Sequence, residues 1–380
     1  MNHKKFIQKL LESGSFPSNI NNSVSCLFGK KIILYGAGEG LMTFSVFVLK
    51  KYKIKPSLIL DQKFKSKNFL LGIPALSPNK YKPTRKEKEK AIVVITVGKT
   101  KYHKEIIKYL RDSLGFENIV IANDIYECYS FNEPKELAKD GFKYFLENKN
   151  KILSSLNILE DSQSREIFTR FIQTHLEKKP VNIPSNDAKE QYFPLDVKLK
   201  KGYGRFINCG SYDGDTVRQL NKFHGKIESL ACFEPDPDNF NLLIRYLQKN
   251  HNQIAKEIIA CPCGVFSSNK QLKFDGGNKI NSLISEKGDV FIQCVALDDV
   301  IGDFRPTFIN MDIEGAELAA LKGAENLIRK NKPSLAISVY HSPSDIWEIL
   351  LYLHSLRLGY KFYLRNYSSY INDTVLYATV

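Results

Sequence analysis

The strongest constraint on how this chain folds lies between Arg205 and Glu234. Phe206, Ile207 and Cys209 form a short apolar run, after which the chain turns through Gly210-Ser211-Tyr212-Asp213-Gly214. A helix is predicted to start near Asp215 or Thr216. A second apolar run, Leu230 to Phe233, stops abruptly at Glu234-Pro235-Asp236. Strand, glycine turn, helix, strand and then an acid about twenty residues after the last glycine describe a nucleoside-binding half of a doubly wound sheet. Glycines let backbone approach a ligand with no Cβ in the way. The turn reads G-x-x-x-G, not the G-x-G-x-x-G of a dinucleotide site. The shorter ligand that suits it is S-adenosylmethionine (SAM).

The rest of the chain reads as α/β on both sides of a helical stretch. Residues 1–130 are predicted to form a small Rossmann-like domain: Lys31–Tyr35, Ser57–Leu60, Ala91–Val97 and Asn118–Ala122 as strands, with helices over Leu41–Tyr52 and Lys101–Leu114. Its turn is Gly36-Ala37-Gly38-Glu39-Gly40, and Asp61 stands where a ribose-binding acid would be. This domain is open to a nucleotide or nucleotide-sugar, to NAD with oxidoreductase chemistry, or to no ligand, as a packing or dimerisation scaffold. The basic stretch Lys80–Lys90 reads as a solvated loop. Residues 131–194 read as a helical linker, with Tyr192-Phe193-Pro194 either capping a pocket or anchoring packing. Residues 195–380 carry the main sheet. There Pro306–Ile313 is a central strand, Glu257–Phe266 and Phe291–Leu297 are further strands, and Tyr360–Arg365 with Thr374–Thr379 make a closing antiparallel hairpin.

Length allows two ordinary domains, and 43% apolar with 25% charged residues describes a globular protein. No apolar run reaches a membrane span, and the N-terminus lacks the apolar core of a signal peptide. The cytoplasm is expected. Seven cysteines without a C-x-x-C pair read as reduced, mostly buried thiols. Net charge is +14. Lysines are spread along the chain, so attraction to anionic substrates is favoured over specific nucleic-acid binding.

Four motifs in the second half resemble the FkbM family of methyltransferases: CGSYDGDT (209–216), FEPDP (233–237), VALDDV (295–300) and MDIEGAELAALKGAENLI (311–328). The resemblance covers roughly residues 190–380, and departs at Asn208, usually an acid, and at Asn366, often histidine. It implies a class I methyltransferase sheet, SAM as cofactor, and O-methylation of a carbohydrate, nucleotide-linked sugar or natural product.

Within that frame, Gly210, Ser211, Asp213, Gly214 and Thr216 are expected to shape the turn around SAM. Glu234 should accept from both ribose hydroxyls, because a carboxylate takes two hydrogen bonds. Pro235 and Asp236 follow it, and Gly264 is expected near the adenine edge. Asp312, at a strand end, either holds the cofactor's amino group or faces the acceptor. His341, on the same sheet edge, is the expected base, since an imidazole titrating near neutrality suits removal of a hydroxyl proton; capping the next turn is its other reading. Asp312, Glu314 and Glu317 together admit a divalent cation, with Glu317 read more simply as a first-turn helix acid. A homo-oligomer is compatible with the sequence.

Overall fold

The computed structural model describes residues 2–14, 24–98, 102–125, 135–275, 283–284, 290–368 and 370–380. The chain forms two compact units: Met1–Ser15, Asn132–Leu176 and Val181–Val380 make the larger, Phe16–Phe131 and Glu177–Pro180 the smaller. Among the described residues no helix is long and apolar enough to cross a membrane. None of the six described cysteines is paired; Cys128 lies outside the described residues.

After α1 (His3–Glu12), the smaller unit runs β1 (Ile32–Tyr35), α2 (Glu39–Phe44), β2 (Leu58–Leu60), β3 (Asn68–Leu70), β4 (Ile73–Leu76), α3 (Arg85–Lys90), β5 (Ile92–Ile95), α4 (His103–Lys108) and β6 (Asn118–Ile121). The sheet order is β3-β4-β2-β1-β5-β6, parallel except for the β3–β4 pair. The apolar runs of β1 and β5 are buried along their whole length, as parallel strands covered on both faces must be. α2 and α4 each continue into a π-helical stretch. The β3–β4 hairpin was not foreseen, nor was α3 within the basic stretch. There Thr84 accepts the Glu87 N–H and Glu87 reaches back to the Thr84 N–H, a capping box that closes a helix over the lysines.

The larger unit contains α5 (Lys135–Glu147), α6 (Lys149–Ile158), α7 (Ser162–Glu177), β7 (Arg205–Cys209), α8 (Asp215–His224), β8 (Ile227–Phe233), α9 (Pro237–Ile254), β9 (Ala255–Cys261), β10 (Gly264–Val265), β11 (Lys270–Asp275), β12 (Leu283–Ile284), β13 (Val290–Val295), α10 (Leu297–Val300), β14 (Phe308–Met311), α11 (Glu317–Lys322), α12 (Glu325–Asn331), β15 (Ser334–Ser338), α13 (Asp345–Ser355), β16 (Lys361–Asn366) and β17 (Thr374–Thr379). Seven strands form the main sheet in the order β16-β17-β15-β14-β7-β8-β9, with β17 antiparallel to both neighbours. This is a mixed α/β architecture with a parallel centre and a closing hairpin. Two strand expectations change. Pro262 interrupts the run from Glu257 to Phe266, so β9 stays in the main sheet while β10 leaves it. β13 joins β10, β11 and β12 in a separate four-stranded sheet.

Helices expected as a linker are part of this unit's body. Arg365, on β16, donates to Asp161 at 2.7 Å and to Asp196 at 2.6 Å, tying the start of α7 to the closing hairpin. α1, expected with the first domain, also sits here: Ile7 and Leu11 are buried, and His3 meets Thr169 of α7 at 3.1 Å.

Candidate functional site

β7 has β8 on one side and β14 on the other, so the chain order reverses at its edge. In open α/β sheets ligands bind at that switch point, outside the carboxyl ends of the strands. Gly210 leaves β7 there with φ +79°, and a Cβ on it would lie 1.9 Å from the Asp312 carbonyl oxygen at the end of β14. Only glycine fits. The N–H groups of Gly210 and Ser211 both donate to the Phe233 carbonyl at 3.0 Å, folding the turn over β8. Gly214, φ +91°, then starts α8 against Leu243 and Tyr246.

Glu234 follows β8 beside this turn. One carboxylate oxygen accepts the Tyr212 N–H at 2.7 Å and the other the Asp236 N–H at 2.9 Å. The residue is only 6% exposed. Burial pushes its carboxyl up to about 7, although both amide donors act in the opposite sense. Each carboxylate oxygen has further lone-pair capacity for a diol hydroxyl.

The other expected cofactor residues divide. Ser211 is buried and bonds the Asn208 carbonyl at 3.0 Å. Thr216 is buried at the start of α8. Asp213 pairs with Arg218 at 2.5 Å, and Asp236 caps α9 by accepting the Asn239 N–H at 2.9 Å. Their carboxylates are thus engaged by α8 and α9. A Cβ on Gly264 would lie 2.9 Å from Cys294 Sγ and 3.9 Å from Pro235 Cβ, so this backbone passes close to the Glu234 end. Asn208 accepts from Asn310 at 2.9 Å, an amide pair across β7 and β14.

Across the switch point, acids converge on one histidine. His341, 1% exposed, has Nδ1 3.1 Å from Glu317. Its Nε2 lies 3.3 Å from Asp312 and 3.5 Å from Glu314. β14 ends at Met311 and Glu314 has φ +58°, so Asp312 and Glu314 meet His341 through a bend, not by strand alternation. Glu317 does stand in the first turn of α11, as expected, but it is fully buried and also accepts the Ile313 N–H at 2.9 Å. Burial alone would lower the His341 pKa. Glu317, Asp312 and Glu314 outweigh it and raise the ring to about 10. Burial likewise raises Glu314 and Asp345 to about 7. Oxygens of Asp312 and Glu317 and a ring nitrogen of His341 lie within 4.8 Å of one another, close enough to hold a divalent cation.

Two tyrosines complete the edge. Tyr192 donates to Asp312 at 2.6 Å while its own N–H donates to the Tyr377 hydroxyl at 2.9 Å. Tyr340 reaches Asp312 at 3.4 Å. Tyr192 was ambiguous between packing and pocket; its place before Pro194, at the end of the linker where Pro180, Pro184 and Pro194 break the helical pattern, was the one available signal.

Residues 208–362 match the Methyltransferase FkbM domain. The chain carries an FkbM methyltransferase domain. Hexuronic acid methyltransferase AglP of Haloferax volcanii is 27% identical over 133 residues, covering 32% of this chain and 52% of AglP. The chain thus spans about half the length of that curated relative. A crystal structure of methyltransferase FkbM from Methylobacillus flagellatus covers 99% of both chains with a TM-score of 0.68 at 19% identity. At that identity the likeness is one of fold. The matched FkbM segment contains both the Glu234 turn and the His341 cluster.

Proposed function

We propose that this protein is a SAM-dependent O-methyltransferase acting on a carbohydrate hydroxyl. The observation that carries the reading is Glu234, held by the Tyr212 and Asp236 N–H groups beside a turn that only glycine permits. Glu234 would clamp the ribose diol, the 210–214 backbone would line the methionine portion, and Gly264 with Pro235 would face the adenine. The FkbM domain and the sugar acid named for the AglP relative support a sugar acceptor.

The methyl carbon of a sulfonium is already activated. SAM bound beside Glu234 would supply that methyl to the acceptor oxygen, its C–S electrons returning to sulfur, and a residue of this chain would have to take the hydroxyl proton. Alignment supplies much of the rate. The Glu317, Asp312 and Glu314 carboxylates around the His341 ring favour its protonated form, which works against its taking that proton. The base role expected of His341 therefore passes to Asp312, which meets Tyr192 and Tyr340 at the same edge. His341 becomes a positioning residue whose charge holds the Asp312, Glu314 and Glu317 carboxylates in place. A divalent cation held by Asp312, Glu317 and His341 would need the neutral ring as its ligand, so it is an alternative to the charged histidine and not an addition to it.

The test is calorimetry with SAM on the parent and on Glu234→Gln, then mass spectrometry of a panel of uronic acid and hexose glycosides. Gain of one methyl mass with loss of SAM supports the reading. Unchanged SAM affinity in folded Glu234→Gln refutes it.

A further inference from the structure

The smaller unit repeats the Glu234 arrangement. Asp61 follows β2 as Glu234 follows β8. One Asp61 carboxylate oxygen accepts the Ala37 N–H at 2.7 Å, within the glycine turn after β1. The other accepts the Lys63 N–H at 2.9 Å, two residues on. Glu234 has the same two partners: an amide of the preceding glycine turn and the amide two residues on. The turn is docked alike, with the Gly36 N–H on the Leu60 carbonyl at 2.9 Å. Gly36 and Gly40 are explained by packing, since a Cβ on either would strike Val97 or Thr96. Gly38 is not: a Cβ there would meet nothing within 4 Å. Its missing side chain leaves open space beside the clamp.

Charge separates this turn from the other one. Residues 16–131 hold 20 lysines and arginines against 9 aspartates and glutamates, a net +11 of the chain's +14. Basic residues are spread through the chain, as the sequence suggested; acids are what this unit lacks. Lys63 stands at the turn itself, its ammonium 2.5 Å from the Ala37 carbonyl. SAM, with its sulfonium and ammonium, gains nothing from such surroundings. A phosphate-bearing ligand does.

We propose that the smaller unit carries a second nucleotide site, in which Asp61 clamps the ribose diol of a nucleoside diphosphate derivative and the Gly36–Gly38 backbone with Lys63 faces its phosphates. The assignment of Asp61 rests on the proposed role of Glu234. The experiment is calorimetry on the full chain, saturated with SAM, using NAD, ADP-glucose, UDP-glucose and inorganic pyrophosphate as probes. At least one nucleotide is expected to bind with a Kd of about 100 µM or tighter, and more tightly than pyrophosphate. Asp61→Asn should weaken it about tenfold or more. Gly38→Ala should do the same with an unchanged melting temperature, because its methyl fills ligand space only. Neither variant should alter SAM affinity. The proposal is overturned if no nucleotide binds, if pyrophosphate binds equally well, or if both variants bind like the parent. SAM titration of Glu234→Gln, run in parallel, reports separately on the methyltransferase reading.

Discussion

The two glycine turns share a plan and differ in what surrounds them. In the larger unit Gly210 is pressed against main chain, with a Cβ position 1.9 Å from the Asp312 oxygen; in the smaller, Gly36 meets first the end of a side chain, Val97 Cγ2 at 2.7 Å. Glu234 is buried, whereas Asp61 is half-buried. The first turn leads into a ten-residue α-helix; the second leads into six residues of α-helix that widen into a π-helical stretch. Only the first, among the described residues, faces a cluster of acids around a histidine. On the proposed reading the same clamp would serve a ribose in both units, and chemistry would enter only where a neighbouring strand end brings in titratable groups.

The sharpest break between the turns should come from alanine. In Gly210→Ala a methyl must displace backbone at a left-handed φ, which neither neighbour can relieve by rotating. We expect a loss of about 4 kcal/mol or more in denaturant unfolding, and no SAM binding. Gly36→Ala also strains a positive φ of 109°, but Val97 can give way; about 2 kcal/mol is expected. Equal losses would mean the two turns are equally confined.

Removing the histidine tests the side that the smaller unit lacks. His341→Leu leaves Glu317 buried and unpaired, at a cost of about 3 kcal/mol. Glu317→Leu should cost a similar amount, and the double variant less than the sum. The sign with pH is fixed. The folded pKa of about 10 lies above the ordinary 6.5, so His341 contributes its full stability below 6.5 and loses it as pH rises through 10. The gap between parent and His341→Leu should close over that range.

These residues also show how far the sequence could be read. Gly210 and Glu234 were legible because a turn and an acid one strand apart are set by local spacing. The parallel sheet and its closing hairpin followed from apolar runs of strand length. Tyr192 reaches Asp312 across 120 residues, and no spacing rule encodes that. His341 was legible as a residue of the sheet edge, but its charge state was not. That state depends on Glu317, which does lie on the first turn of α11 as read, but whose burial against His341 no helical position encodes. α3 was missed despite Thr84 and Glu87 standing three apart, because the mixed charges and the proline of the Lys80–Lys90 stretch gave it the look of a solvated loop.

Substituting the acid itself ranks next. In Glu234→Gln the amide NH2 must face one of two backbone N–H donors, so one of the clamp's bonds becomes a repulsion. Loss of one diol acceptor adds to this, and SAM affinity should fall about 100-fold, near 2.7 kcal/mol. The unfolding midpoint should change little, because the neutral amide avoids the cost of burying charge. A fall in stability matching the fall in affinity would make Glu234 a structural acid.

The smallest effect is the most specific. The Glu234 carboxyl, at about 7 instead of 4.5, is half-protonated near neutrality in the free protein. The diol needs the carboxylate as acceptor, so SAM competes with a proton. Apparent affinity should be flat above pH 7 and weaken about tenfold, or 1.4 kcal/mol, for each unit below it. Folding stability should move the other way. A carboxyl raised on folding binds more protons in the folded chain between 4.5 and 7, so its contribution falls as pH rises through that window and stays low above it. Calorimetry with SAM from pH 5 to pH 8, in parallel with thermal unfolding, reads both slopes in one protein. Glu314 and Asp345 titrate over the same window, so the assignment rests on the difference between the two proteins. Glu234→Gln should lose the affinity slope and only its own share of the stability slope; an affinity slope that persists there would place the titrating group elsewhere.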